Sequence, residues 1–299
     1  MVGARMPRVH DLPGHDGTAA TAYHGGMNAP ESLPARRLSV GDHVRQWRQL
    51  RRLSQLDLAL EADISPRHLS CVETGKANPS RELVLRLCER LAVPLRERNA
   101  WLVAAGYAPM YREHAWDDPS MQAARRAVQH LLDAHAPWPA LAFDRHWNLV
   151  LANGMVAPLL DGVDAALLAA RPNLLRIALH PRGLAPRIAN LDQWRAHLFE
   201  RLQRQIRDTG DGTLTALLAE VRAYPAPPAL GAPTATPYAH PDVLMPLLLD
   251  TPAGRLHLIS TTTVFGSPLD ITLQELALET FFPGDEASAN ALRRMAGTH

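Results

Sequence analysis

Between residues 54 and 76 the chain carries polar side chains spaced to meet a polyanion. Ser54-Gln55 opens one short apolar-periodic stretch and Ser65 opens the next, with Asp63-Ile64 breaking the pattern between them. Backbone N–H groups are free in the first turn of a helix, so the Gln55 amide falls where a phosphate is already favoured. The second stretch puts Arg67, His68, Ser70 and Cys71 on a polar face and turns Leu69 and Val72 inward. A helix with polar groups near its N-terminal end fits the major groove and reaches base edges. Arg67 is the candidate for a bidentate guanine contact. The plainer alternatives are a solvated face, or a helical bundle that serves only to dimerise.

Other chemistry is thinly represented. Gly210-Asp-Gly212 is a turn and not a phosphate loop, and neither a nucleophile elbow nor a His-Glu-x-x-His pair occurs. His180, His240 and His257 are scattered, and His10, His15 and His24 lack metal-ligand spacing. Cys71 and Cys88 are too few for a disulfide framework or a cysteine-built metal site. Cys71 reads as a small half-buried residue, with a thiol sensor on the same face as the alternative. The expectation is a protein that is not an enzyme, with no catalytic residue, no metal and no cofactor.

Five short helices position the polar set. Val40, Val44, Trp47 and Leu50 recur at three- and four-residue intervals, as one helix face requires. Leu56, Leu58, Ala59 and Ala62 follow Ser54, and a helix from Ser65 or Pro66 ends at Gly75. Proline costs nothing there, because its missing N–H is unpaired in a first turn anyway. Ser80 caps a fourth helix with Leu83, Val84, Leu87 and Leu91 inward. A fifth runs from about Leu95 to Ala105 and stops at Gly106, with Pro109 close behind. The N-terminal fold class is thus an all-α bundle of five helices containing a helix-turn-helix unit.

The 299 residues suffice for two domains, and 46% apolar against 20% charged residues describes ordinary buried cores. Thirty of the 31 basic residues are arginine, Lys76 being the exception, a bias better explained by coding composition than by chemistry. The net charge of +1 hides a division: residues 37–113 hold 13 basic against 9 acidic side chains, residues 114–299 hold 15 against 18. A basic small domain beside a mildly acidic larger one points to a polyanion partner for the first alone. Residues 1–36, rich in Gly, Pro, Ala and His, read as a disordered tail, with Met6 and Met27 as alternative starts. No apolar run approaches a membrane span and no start resembles a signal peptide, so the expectation is a cytoplasmic protein with no membrane partner.

The larger domain mixes strands and helices. Pro139–Phe143 and Trp147–Leu151 read as strands joined by a tight turn at Asp144-Arg145-His146. Helical stretches follow near Asn153–Leu160, Leu191–Arg207 and Leu214–Arg222. A passage holding Pro225, Pro227, Pro228, Pro233 and Pro237 interrupts regular structure. Val243–Leu249 and Leu256–Phe265 read as further strands, and Ala287–Met295 as a short helix. From Thr272 to Phe282 the pattern fits a capped helix or an edge strand equally. Phe143, Trp147, Leu151, Met155, Leu198, Phe199, Leu258 and Thr262 could line a cavity between sheet and helices, with ordinary core packing as the alternative for each. Asn153 reads as a helix cap and Arg176 as an ion-pair partner; each could instead orient a polar ligand head.

Two resemblances sharpen this reading. Ser54-Gln55-x-x-Leu58-Ala59, Ile64-Ser65 and Leu69-x-x-Val72-Glu73-x-Gly75-Lys76 resemble the XRE/Cro-type helix-turn-helix regulators over residues 41–106. That resemblance implies a pairing of Arg48 with Glu73, a phosphate contact at Gln55, and base-edge positions at Pro66, Arg67 and Cys71. With Ser65, His68, Ser70 and Lys76 these form the candidate DNA-binding set, whose partner is a double-stranded operator. Asp63 departs from the glycine usual in that turn, and aspartate tolerates the left-handed conformation better than most residues.

The second resemblance covers about residues 107–285. Gly106-Tyr-Ala-Pro109, Trp138–Trp147, Asn173-Leu-Leu-Arg176, Leu179-His-Pro181, Leu218-x-Glu220-Val-x-x-Tyr224-Pro225, Ser260–Gly266 and Glu279-Thr-Phe-Phe-Pro283 together look like the MmyB-like ligand-binding domain. It implies an α+β PAS-like domain with an antiparallel sheet, an apolar pocket and a fatty-acid-like effector. The expected protein is a homodimeric transcriptional regulator controlled by a small apolar ligand. The alternatives are a ligand-independent repressor whose second domain only dimerises, and an enzyme fused to a DNA-binding domain.

Overall fold

Four of the five N-terminal helices start on a serine whose hydroxyl accepts a backbone N–H that the helix itself cannot satisfy. In the computed structural model, which describes residues 38–169, 171–225, 245–266 and 270–297, they are α1 (Val40–Leu50), α2 (Gln55–Glu61), α3 (Pro66–Glu73), α4 (Arg81–Arg90) and α5 (Leu95–Ala104). Ser39 and Ser54 form reciprocal capping boxes with Asp42 and Asp57, while Ser65 and Ser80 accept from His68 and Leu83. Each such cap contributes about 1 kcal/mol. Pro66 occupies the first position of α3, and Asp63 takes the left-handed conformation at φ +52° in the turn before it.

Val44, Trp47, Leu58, Leu69, Val72, Leu87, Leu91, Trp101 and Leu102 form one buried cluster among these helices. Burying each leucine contributes about 1.5–3 kcal/mol. Gly41 lets α1 approach α3 closely: a methyl group on it would collide with the Val72 carbonyl oxygen and lie 2.8 Å from that of Glu73.

The larger domain is an α+β PAS-like fold. In chain order come α6 (Gln122–Asp133), β1 (Ala140–Phe143), β2 (Leu149–Ala152), α7 (Ala165–Leu168), α8 (Leu174–Leu179), α9 (Leu191–Thr209) and α10 (Gly212–Arg222). Then follow β3 (Leu247–Thr251), β4 (Gly254–Val264), α11 (Ile271–Gln274), β5 (Ala277–Pro283) and α12 (Glu286–Gly297). The sheet is antiparallel throughout, in the order β2-β1-β5-β4-β3. Strand β1 is buried on both faces. Leu141 and Phe143 join the main cluster with α8, α9 and α10, whereas Ala140 and Ala142 meet Val128 and Leu132 of α6 on the other side.

Several elements differ from the sequence reading. Trp147 is not in a strand: it stands in the β1–β2 turn at φ +67°, and β2 begins only at Leu149. Residues 153–160 form a turn and a short 3-10 helix, Ala157–Leu160, instead of an α-helix. Gly154 is a poor helix former, and Pro158, which lacks an N–H, falls in the first turn of the short helix where none is needed. The ambiguous stretch after Thr272 is both alternatives in succession, α11 and then β5. Asp270, not Thr272, caps α11, and β5 is an inner strand, not an edge. Helices α6, α7 and α8 have no counterpart in the expected elements. The expected tail over residues 1–36, with its histidines and candidate starts, lies outside the described residues. So do Pro227, Pro228, Pro233, Pro237, His240 and the first residues of the strand expected from Val243.

Candidate nucleic-acid interface and ligand pocket

Helix α3 is fixed from behind by an ion pair. Arg48 Nε donates to Glu73 Oε1 at 2.6 Å and Arg48 Nη2 to Oε2 at 3.0 Å, with side chains 11% and 2% exposed. Arg48 Nη1 also donates to the Leu53 carbonyl, so the guanidinium ties the end of α1 to the start of α2 and the end of α3. Gln55 Nε2 supplies a third donor to Glu73 at 2.7 Å. Burial alone would raise the Glu73 carboxyl, but the bonds from Arg48 and Gln55 outweigh it and hold it below the usual carboxylate range. The same bond from Arg48 raises the guanidinium pKa.

This anchoring leaves the opposite side of α3 free. Ser65, Pro66, Arg67 and His68 are exposed at its N-terminal end, as is Lys76 just beyond it; Ser70 and Cys71 are half-buried. Among the described residues no side-chain partner restrains Arg67. The one departure from expectation is Gln55, whose amide is not simply presented to solvent but is held half-buried on Glu73. One N–H of that amide remains for a phosphate. Cys88 is buried within the bundle and burial pushes its thiol up to about 12, which leaves it inert.

In the larger domain a cavity of about 110 Å³ lies between the sheet and helices α8 and α9. Its wall includes Leu141, Trp147, Leu159, Leu175, Ile177, Trp194, Leu198, Leu247, Leu258 and Phe281, with Glu279 the ionisable residue among them. Of the residues expected to line it, Trp147, Leu198 and Leu258 do so.

The others serve elsewhere, for identifiable reasons. Phe143 and Met155 are buried in the same cluster behind the wall, and Phe143 stacks on Trp147 with centroids 5.2 Å apart. Leu151 packs on the α6 side of the sheet. Phe199 lies half-buried under the guanidinium groups of Arg195 and Arg222. Thr262 is exposed on β4 and accepts from Arg201 Nη2 at 2.8 Å. Asn153 caps no helix: it donates to the Leu132 and Trp138 carbonyls and accepts from the Ala140 and Met155 N–H groups, stapling α6 to β1. Arg176 forms a bidentate pair with Glu220 at 2.8 Å on the surface. The sequence reading missed Glu279 and Phe281, whose signal was the alternation of residues 277, 279 and 281 toward one sheet face.

The two folded parts meet through polar contacts. Arg96 of α5 holds Glu275 with two bonds of 2.8 and 2.9 Å and also pairs with Glu113. Leu95 N–H donates to Gln274 Oε1. Within the larger domain, Arg145 of the β1–β2 turn reaches the same Glu275 at 3.5 Å, and His146 meets Asp211 at 3.0 Å. The next residue in that turn, Trp147, donates from Nε1 to Gln205 Oε1, and Gln205 Nε2 returns to the Arg145 carbonyl. Burial raises the nearby Glu97 carboxyl above its ordinary value. A second cavity of about 360 Å³, lined by Trp47, Arg96, Glu97, Arg145, Gln205 and Asp211 among others, lies at this junction.

A helix-turn-helix bundle with a free reading helix, joined to a PAS-like domain around an apolar cavity, defines a DNA-binding transcription regulator with a ligand-binding domain. Residues 44–98 match the helix-turn-helix family model, and residues 124–295 match the model of the MmyB-like transcription regulator ligand binding domain. The chain belongs to the MmyB-like transcription regulators. It is also 36% identical over 62 residues to multiprotein-bridging factor 1 of Candida albicans, covering 21% of this chain and 41% of that protein. The same factor from Debaryomyces hansenii is 35% identical over 69 residues, 22% and 46% of the two chains. The chain spans less than half the length of these curated relatives. No helix among the described residues is long and apolar enough to cross a membrane.

Proposed function

We propose that the chain is a ligand-controlled transcriptional regulator without enzymatic activity. It binds an operator through α3, takes an aliphatic, fatty-acid-like effector into the cavity of the larger domain, and works as a homodimer. The observation that carries this reading is the leucine- and tryptophan-walled cavity of about 110 Å³ in a domain bonded directly to α5 of the reading bundle. On α3, Arg67 and His68 read base edges, while Gln55 and Lys76 meet phosphates. Pairing two such modules on half-sites about 34–36 Å apart enlarges a small single-module interface. The effector acts by binding one arrangement of the pair more tightly than another.

Organic extraction of the purified full chain followed by mass spectrometry tests the effector. Fluorescence anisotropy on operator DNA, with and without C8–C14 saturated fatty acids, tests its consequence. The expected result is a co-purifying aliphatic molecule and a changed operator affinity. Absence of any bound molecule, with an affinity indifferent to every added lipid, would sink the ligand-controlled reading.

A further inference from the structure

Strand β4 runs well past the strand that covers its outer side. The pair Thr251–Gly254 closes the β3–β4 hairpin, so even-numbered residues of β4 turn their backbone groups toward β3 and odd-numbered ones toward β5. The Gly284 N–H, which donates to the His257 carbonyl, agrees with that sense. Strand β3 starts at Leu247, opposite Leu258, and beyond this point β4 pairs with β5 alone as far as Val264. Among the described residues, the N–H and C=O groups of Ser260, Thr262 and Val264 therefore face outward from an open edge. The outer side of β3 is engaged, Asn190 and Ala189 bonding the Leu248 N–H and carbonyl, and β2 begins on the Pro172 carbonyl.

An open edge is a template for another strand, and proteins commonly guard it with lysine, proline or a bulge. This one has no such guard. From Leu258 to Gly266 the sequence holds neither a charged residue nor a proline, and the β4–β5 register runs unbroken. Thr261, Thr262, Thr263 and Val264 are exposed in succession, which leaves room beside the strand on both faces of the sheet.

A twofold axis suits these features. Identical strands pair antiparallel about a single residue, and an uncharged segment meets its own copy without repulsion. Only a centre at Thr262 uses all the open groups: Thr262 then lies opposite Thr262 of the second copy, and Ser260 opposite Val264. Three such pairs exchange about six backbone hydrogen bonds. A shifted centre leaves open groups unpaired or drives the second strand into β3. On the other face Thr261 comes opposite Thr263, a favourable cross-strand pair.

Resting on the reading of the chain as a homodimer, we propose that this edge is its twofold contact. Strand β4 pairs antiparallel with β4 of a second copy and joins the two five-stranded sheets into one. The Thr262 hydroxyl accepts from Arg201 Nη2, and the Arg201 guanidinium bonds Glu279 at 3.0 Å and lies 4.6 Å from the ring centroid of Trp147. The seam is thereby one side chain away from the wall of the effector cavity. Glu279 neutralises each of the two arginines brought near the axis.

Sedimentation of the full chain without DNA tests the assignment. Thr262→Pro deletes an N–H that β5 does not use, and Val264→Lys places a cation at an exposed position on the seam. Each is expected to weaken the dimer about tenfold or more while the circular dichroism of the chain is retained. Facing Cα atoms of such a pair stand about 5.5 Å apart, within disulfide reach, so mild oxidation should link Thr262→Cys across the axis and leave wild type unlinked. Val264→Lys and the cross-link carry the test if Thr262→Pro fails to fold. If wild type dimerises, the folded variants match it and Thr262→Cys stays unlinked, the edge is overturned while the dimer stands. If wild type is a monomer at every concentration, both are overturned.

Discussion

The Arg48 guanidinium and the Glu73 carboxylate meet side by side through two hydrogen bonds, with Glu73 2% exposed and Gln55 adding a third donor. Removing one member of such a pair strands the other in the bundle. Glu73→Ala is therefore expected to cost about 3–5 kcal/mol, read from chemical denaturation. The sign of the pH dependence follows from the lowered Glu73 pKa. A carboxyl depressed on folding adds stability above its unfolded value and loses it as pH falls through its folded one. Glu73→Gln should then show a shallower loss of melting temperature than wild type between about pH 7 and pH 3. Parallel slopes would assign the acid sensitivity to other carboxylates.

Gly41 controls how closely α1 approaches α3. Gly41→Ala puts a better helix former in place of glycine, worth up to about 1 kcal/mol of gain on an open helix surface. Here the new methyl would strike backbone carbonyls of residues 72 and 73, which cannot swing aside as a side chain can. A net destabilisation of about 1–3 kcal/mol is expected, with weaker DNA binding because α3 is displaced. A melting temperature equal to or above wild type would mean that the helices separate at no cost.

Arg67 and Gln55 should differ in kind. Arg67→Ala is expected to weaken operator binding by about 1–3 kcal/mol while leaving random-sequence binding little changed, as loss of a bidentate base contact does. Gln55→Ala should weaken both alike and lower the salt dependence of neither strongly, since the amide is uncharged. Equal losses on both DNAs for Arg67→Ala would move that residue from base to phosphate.

Local signals made the helical bundle readable. Serine caps, a proline at the first position of α3 and the spacing of Val44, Trp47, Leu69 and Val72 all act within a few residues, and aspartate tolerates the left-handed turn at Asp63. The pocket was less readable because it depends on distant pairing. Leu151 read as a cavity residue, but the register of β1 against β2 sends it to the α6 side. Asn153 looked like a cap because its four bonds are made with residues 13 and more positions away or in the following turn. The strand β5 gains its inner place only by pairing with β1 and β4, which no local pattern encodes. Glu279 was inside a motif whose alternation was visible, but its burial beside Arg201 was not.

The last expectation concerns how the cavity reaches the reading bundle. Trp147 stands in the cavity wall at φ +67°, a conformation that a bulky side chain adopts only when its surroundings enforce it. What enforces it is visible: Asp144 accepts from the His146 and Asn148 N–H groups, and Asn173 donates to the His146 carbonyl. Any ligand that shifts Trp147 therefore moves Arg145 and His146 of the same turn, and Arg145 shares Glu275 with Arg96 of α5. Glu275→Gln weakens that shared anchor without touching the cavity wall or α3. It should leave the operator affinity of the ligand-free chain and the ligand affinity of the DNA-free chain near wild type, while shrinking the effect of one on the other. Allosteric coupling of this sort commonly amounts to about 5–150-fold in affinity, and by linkage it must shrink equally whichever ligand is titrated first. Calorimetric ligand binding with and without operator, on wild type and variant, measures both directions of that cycle. Coupling that survives intact in Glu275→Gln would place the route outside the β1–β2 turn.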